Sequence, residues 1–399
     1  MSQTVLAPQR AATASIALGA ASLCHGLNDL LQSLLPAVYP ILKGGFDLSF
    51  GQIGALTLVY QITASLLQPL IGLFTDRRPQ PFALPVGMGF TLAGLIVLAF
   101  APSYATLLLG AGLLGVGSSI FHPEASRIAR LASGGRHGLA QSIFQVGGNF
   151  GQAMGPLLAA FFVLPRGRAS IAWFALLALG GIAILSALGQ WYRAQGHTRR
   201  VARHAKAGPA LPRAVVLRAL AVLMALMFSK FFYIASFTSY YIFYLMQRFG
   251  LSTQAAQLHL FAFMAASATG TVIGGPLGDR IGRKAVIWGS ILGVAPFALA
   301  LPYAGLGLTV VLTIIIGFVL SSAFSSIVVY AQELLPGQTG AVSGLFFGLA
   351  FGMGGIGAAV LGALADRVGI VEVYKICALL PLIGLAAALL PNTEQRRAV

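Results

Sequence analysis

Charge is what this sequence has least of. Only 9% of its 399 residues are charged and 57% are hydrophobic, whereas an ordinary soluble domain carries about 25% charged residues. A chain so poor in charge cannot cover itself with a soluble protein's surface, and it reads as a polytopic membrane protein. Cysteine is nearly absent too: Cys24 and Cys377 lie in apolar runs at opposite ends of the chain and offer neither a disulfide framework nor a metal cluster. There is no nucleophile–base pair and no phosphate-cradling loop, so neither an enzyme nor a bound metal or cofactor is expected. The first apolar run is not a brief core followed by a small-residue cleavage site, and it is read as retained.

What is present is a series of long apolar runs. They cover approximately 15–42, 52–74, 82–101, 104–126, 138–164, 169–192, 214–246, 254–277, 285–303, 306–332, 340–364 and 370–391. Each reaches the ~20 residues that cross a bilayer core, which predicts an all-α protein of twelve transmembrane helices. The expected organisation is an N-terminal arm (1–14), a six-helix bundle (15–192), a basic linker (193–213), a second six-helix bundle (214–391) and a tail (392–399).

The net charge of +16 is unevenly distributed. In the twelve-helix reading, 18 of the 25 Lys and Arg fall on the side of the termini and linker. This bias puts both termini in the cytoplasm and accounts for the charge without a nucleic-acid partner. Membrane lipid is the partner such a surface implies.

One interval recurs. Asp76 and Asp279, Gly72 and Gly275, Leu48 and Leu251, Ser118 and Ser321, and Phe121 and Phe324 are each 203 residues apart. The chain therefore reads as two similar halves, the layout of secondary transporters. The strongest repeated element is the polar elbow Gly275-Pro-Leu-Gly-Asp279-Arg280-Ile-Gly282-Arg283-Lys284, with a fainter copy at Gly72, Asp76 and Arg77.

The elbow resembles the signature loop of the major facilitator superfamily, in full in the second half and in part in the first, where Pro79 and Pro81 interrupt it. The resemblance implies two pseudo-symmetric six-helix bundles that alternate access to a central site. It also implies a gating role for Gly72, Asp76, Arg77, Gly275, Asp279, Arg280 and Arg283, with the aspartate held by an arginine and a neighbouring helix end. A plain positive-inside turn explains the basic residues equally cheaply.

Several polar residues stand inside the apolar runs. In the first, His25, Asp29, Gln32 and Pro36 fall within roughly 60° of helical rotation. An aspartate at that depth faces the bundle interior or a wet cavity, where it serves as a proton carrier or stitches helices together with His25. In the fourth, His122, Glu124 and Arg127 flank Pro123, which is expected to kink the helix. Glu124 and Arg127 are spaced to pair. In the fifth, Gln141, Gln145, Asn149 and Gln152 form an amide stripe that either lines a cavity or bonds a neighbouring helix. Lys230, in the seventh, needs a counter-ion: Asp29, Glu124 or a bound anion. Gly340, Gly344, Gly348 and Gly352 read as a close-packing face, and Gly362-Ala-Leu-Ala-Asp366-Arg367 as a relic of the elbow.

The runs Phe121–Arg127 and Gln141–Gln152, with His25-Gly-Leu-Asn-Asp29, are similar to the fosmidomycin resistance protein family, efflux members of the superfamily in the bacterial inner membrane. The implied activity is proton-coupled export (antiport) of a small phosphonate antibiotic. On that reading Asp29, Glu124, His25 and His122 handle protons, and Lys230, Arg127, Gln145 and Asn149 hold an anionic substrate. The residues alone leave two alternatives: uptake of an organic anion by proton symport, or a membrane sensor that transports nothing. If a carboxylate pairs with Lys230, protonating it frees the lysine for an anion, and that linkage favours symport.

Overall fold

With no water in a bilayer core, a spanning segment must satisfy its backbone internally, and these apolar runs do so as helices. A computed structural model describes residues 8–133, 137–194, 212–335 and 339–391, and among them there is no strand. The helices are α1 (Pro8–Ala37), α2 (Tyr39–Phe46), α3 (Phe50–Arg77), α4 (Ala83–Phe100), α5 (Tyr104–Leu131), α6 (His137–Leu158), α7 (Leu164–Arg166), α8 (Ala175–Ala194), α9 (Arg213–Phe249), α10 (Thr253–Ile281), α11 (Arg283–Ile291), α12 (Ala295–Ala300), α13 (Leu306–Ser321), α14 (Ala323–Leu334), α15 (Thr339–Val368) and α16 (Ile370–Cys377). Short π- and 3₁₀-helical stretches join α6 to α7 and α11 to α12, and another continues α16 over Leu380–Leu389. Residues 1–7 of the N-terminal arm, most of the linker and the tail lie outside the described residues, and the rest of the arm is the start of α1.

Among the described residues, ten stretches are long and apolar enough to cross a membrane. The other two expected spans, α1 and α6, are helical but fall short on hydropathy because they carry the polar residues singled out above. The expected first span also breaks early. α1 stops at Ala37, and the chain restarts as α2 with Pro40 in its first turn, where a missing N–H costs nothing.

Local chemistry sets the turns. Ser49 and Gln52 form a reciprocal capping box at the start of α3, and Ser103 and Ser252 cap α5 and α10. Gly282, in the elbow between α10 and α11, has φ = 95°, and Gly369, between α15 and α16, has φ = 83°. Only glycine adopts such angles without strain, which explains why Asp-Arg-x-Gly recurs at both places. These two turns mark opposite ends of the bundle.

Within the first half α1 packs on α6 and α4 on α5; within the second α10 packs on α13 and α9 on α15. The halves meet along α3 with α15 and along α6 with α10. The α3–α15 seam is tight toward the Gly369 end, where a Cβ on Gly54 would lie 2.5 Å from the Ala358 carbonyl oxygen. Further along, the nearest atom to a Cβ on Gly352 would be Ser65 Oγ at 3.8 Å, and a Cβ on Gly72 would meet nothing within 4 Å. Among the described residues the close approaches of α3 to α15 thus lie toward the Gly369 end. This corrects the expected close-packing face: Gly348 and Gly352 make only ordinary contacts, and the close approach runs through Gly54, Gly355 and Gly362. The surroundings of Gly340 and Gly344 lie outside what is described.

Candidate functional site

Close packing of α1 on α6 builds the polar centre. His25 is buried, stacked on Phe144 with ring centroids 4.0 Å apart and flanked by Phe121 at 5.9 Å. Its Nδ1 lies 2.8 Å from the Phe144 carbonyl oxygen, so Nδ1–H donates there and Nε2 faces Asp29 Oδ2 at 3.4 Å. His122 arrives from α5. Its Nδ1 is 2.9 Å from the Ser118 carbonyl oxygen, and its Nε2 lies 3.5 Å from Asp29 Oδ1. Pro123 is accommodated inside one continuous α5. Gly148 roofs the cluster, since a Cβ there would lie 2.4 Å from His25 Cε1.

A relay of neutral side chains extends from the carboxylate. Asn28 Nδ2 donates to Asp29 Oδ1 at 3.1 Å, Gln32 Nε2 to Asn28 Oδ1 at 3.0 Å, and the Tyr60 hydroxyl to Gln32 Oε1 at 2.9 Å. Sequence reasoning did not single out Tyr60. A lone tyrosine in an apolar run usually marks an interface, and no spacing ties residue 60 to residue 32. His122 also looks across to the second half, its ring 6.1 Å from that of Phe351.

One turn further along α5, Arg127 Nη1 pairs with Glu124 Oε1 at 3.2 Å, with Glu124 buried and Arg127 partly exposed. The glycines of α6 settle which face of that helix meets α1: a Cβ on Gly147 or Gly151 would strike the carbonyls of Ser22 and Gly26. Gln141 accepts a hydrogen bond from Ser126 at 3.2 Å and Gln152 is exposed. Gln145 and Asn149 are half-buried, and Asn149 Nδ2 has no hydrogen-bond partner among the described residues.

Lys230 is separate from these. It is only 2% exposed, its ammonium lies 5.6 Å from the ring centroids of Phe231 and of Phe324, and it has no hydrogen-bond partner among the described residues. Among the described residues the expected carboxylate counter-ion is not beside it: Asp29 faces the histidines and Glu124 holds Arg127. The tyrosines of α9 are packing residues, with Tyr240 donating to the Ala358 carbonyl and Tyr241 bonded to Thr313.

At the Gly282 end, Arg283 bridges two carboxylates, Asp279 at 3.0 Å and Glu333 at 2.6 Å. The Asp279 side chain is 71% exposed, Arg280 is exposed, and neither Gly72 nor Gly275 is crowded. The side chains of Asp76 and Arg77 lie outside the described residues. At the Gly369 end, Asp366 accepts the backbone N–H groups of Phe50 and Gly51, so the elbow's echo is a contact between the halves as well as a turn.

Two halves packed in this way, with ionisable groups turned inward, define a membrane transporter, and the chain belongs to the Major Facilitator Superfamily, whose family model matches residues 21–258 and 226–399. It is 61% identical over 379 residues to the fosmidomycin resistance protein of Escherichia coli (strain K12), covering 95% of this chain and 93% of that one. It is 44% identical over 383 residues to YfnC, an uncharacterized MFS-type transporter of Bacillus subtilis (strain 168), covering 94% of this chain and 92% of that one. Its fold is similar to a bacterial homologue of the human lysosomal transporter Spinster, solved in an inward-facing, occupied conformation: the TM-score is 0.73 at 16% identity, over 94% of this chain and 95% of that one. The protein is thus an all-helical membrane transporter that handles a small-molecule substrate, and not an enzyme.

Proposed function

We propose that this protein exports fosmidomycin or a closely similar phosphonate across the bacterial inner membrane by proton-driven alternating access, with both termini cytoplasmic. The observation that carries the substrate is the 61% identity, over nearly the whole of both chains, to a protein named for resistance to that drug. The moving bodies are the six-helix bundles 15–192 and 214–391. In support, the closest approaches of α3 to α15 lie toward one end, with looser, ordinary contacts at Gly348 and Gly352.

Protons are handled at His25, Asp29 and His122, with Glu124 beside them. Three titratable groups share one centre there, and a proton added to or lost from it changes its net charge in a medium that screens poorly. Lys230 supplies a positive charge: a buried ammonium with no partner among the described residues is costly, and an incoming phosphonate relieves that cost. Arg127, whose planar fork matches phosphonate oxygens, is the second anchor, and Gln145 and Asn149 add amide donors. Asp279, Arg280 and Arg283, with Gly275 and the paired Gly72, Asp76 and Arg77, gate the Gly282 end.

A second reading is proton-coupled uptake of an organic anion. The Glu124–Arg127 pair favours it, because protonating Glu124 frees the guanidinium for an anion and makes proton and substrate cooperate. Accumulation of labelled fosmidomycin in inverted membrane vesicles separates the two. Export by antiport predicts uptake into vesicles with an acidic interior. Symport predicts uptake only when the exterior is acidic, and uptake indifferent to either gradient removes proton coupling.

A further inference from the structure

We propose that His25, Asp29 and His122 form a binding site for a divalent transition-metal ion of the zinc class. Both imidazoles are held by backbone carbonyls at Nδ1, from Phe144 at 2.8 Å and Ser118 at 2.9 Å, which leaves each Nε2 with its lone pair toward the same carboxylate. Metal-binding histidines are oriented by this same outer contact, which fixes the tautomer and raises the basicity of the free nitrogen.

The distances favour an ion over a direct bond. The two nitrogen–oxygen separations are 3.4 Å and 3.5 Å, longer than the ~2.7–2.9 Å of a charge-assisted hydrogen bond. They run to different oxygens, Oδ2 for His25 and Oδ1 for His122, and each is close to the roughly 3.3–3.4 Å edge of a tetrahedron with metal–ligand bonds of about 2.0–2.1 Å. The donor atoms of all three residues lie within 4.8 Å of one another, and the longest edge shortens when an ion draws them in. Two imidazoles and one carboxylate suit zinc, nickel or copper and do not suit the hard oxygen-seeking cations.

The surroundings support the same ion. Asn28 holds Oδ1 of the carboxylate at 3.1 Å, and the aromatic rings of Phe121 and Phe144 flank His25. A bound ion would tie α1 to α5 through the atoms assigned to protons, so zinc acts as an inhibitor of transport. The inhibition rests on the transport reading, whereas the binding does not: it is measured on the purified chain with no gradient and no drug.

The test uses full-length protein in detergent, stripped of metal, with His137, His197, His204 and His259 replaced by Ala so that His25 and His122 are the histidines left. Zinc is titrated in competition with a fluorescent chelator. The expected result is one ion per chain with a Kd below about 10 µM, unaffected by magnesium in excess. His25→Ala, His122→Ala and the milder Asp29→Asn are each expected to weaken binding by about tenfold or more. X-ray absorption at the zinc edge of the four-alanine protein reads the ligands without any change at the site, and two imidazole nitrogens at about 2.0–2.1 Å are expected. Weaker binding than this, an ion that all three variants retain, or a spectrum without imidazole overturns the proposal.

Discussion

Asp366, the last acidic residue of α15, accepts the backbone N–H of Gly51 at 2.7 Å in the first turn of α3, and the N–H of Phe50 at the same distance. The two partners are 315 residues apart in the chain and belong to different halves. The carboxylate occupies the positive end of the α3 dipole and satisfies two of its orphan donors. Gln257 of α10 donates to the Ala37 carbonyl at 2.9 Å, another bond between the halves at this end. Hydrogen bonds to a charged group contribute about 1.5–3 kcal/mol each.

Asp366→Asn is therefore expected to shift the protein by roughly tenfold toward conformations open at the Gly369 end. Spin labels at Gly45→Cys and Glu372→Cys, with Cys24 and Cys377 replaced by Ala, read the distance between halves there. A longer population that grows in the variant is the expected outcome. Identical distance distributions would remove the latch.

The layout of the chain was legible because it repeats: the 203-residue interval and the apolar runs anticipate twelve helical segments in two halves. The inward turn of His25 and Asp29 was legible because they share one face of one helix. Contacts that depend on how helices are placed were not. No local pattern joins Asp366 to Gly51 or Tyr60 to Gln32, and a polar side chain in an apolar run does not reveal which neighbour it meets. Lys230 shows the limit most clearly: its depth was readable, but its phenylalanine surroundings are set by helix α14 and by its own next residue.

Gly148 leaves room for the imidazole. A methyl group there would sit 2.4 Å from His25 Cε1 and 2.9 Å from Asp29 Oδ2, so Gly148→Ala must displace the ring. The expected cost is about 1–3 kcal/mol of stability, seen as a lower melting temperature, together with loss of proton-driven transport. A variant that melts and transports like the parent would show that the geometry at the cluster is unimportant.

Lys230→Met removes a buried ammonium that no described residue pairs with, while keeping most of its volume. Replacing such a charge is neutral or stabilising by about 1–4 kcal/mol. Drug affinity should nevertheless fall by about tenfold or more, because the fixed charge for the anion is gone. Thermal unfolding and equilibrium drug binding on the same preparation check this. Marked destabilisation with unchanged affinity would make Lys230 a structural residue.

Asp279 distinguishes a gate from a plain turn. Its exposed pair with Arg283 contributes about 0–1 kcal/mol to stability, so Asp279→Asn should melt normally. A gating role predicts slower transport all the same, through an altered balance between open and closed forms at the Gly282 end. Vesicle transport at the parent's rate would leave the elbow as a positively charged turn and nothing more.

In the proposed mechanism a proton passes through the His25–Asp29–His122 cluster as the substrate is moved. Asp29→Asn keeps the shape and the hydrogen bond with Asn28 available while removing the charge. The most direct measurement compares two activities of this variant in inverted vesicles: accumulation of labelled fosmidomycin driven by an imposed proton gradient, and exchange of labelled for unlabelled drug with no gradient. Loss of driven accumulation with exchange intact is the expected result. Driven accumulation at the parent's level would contradict it.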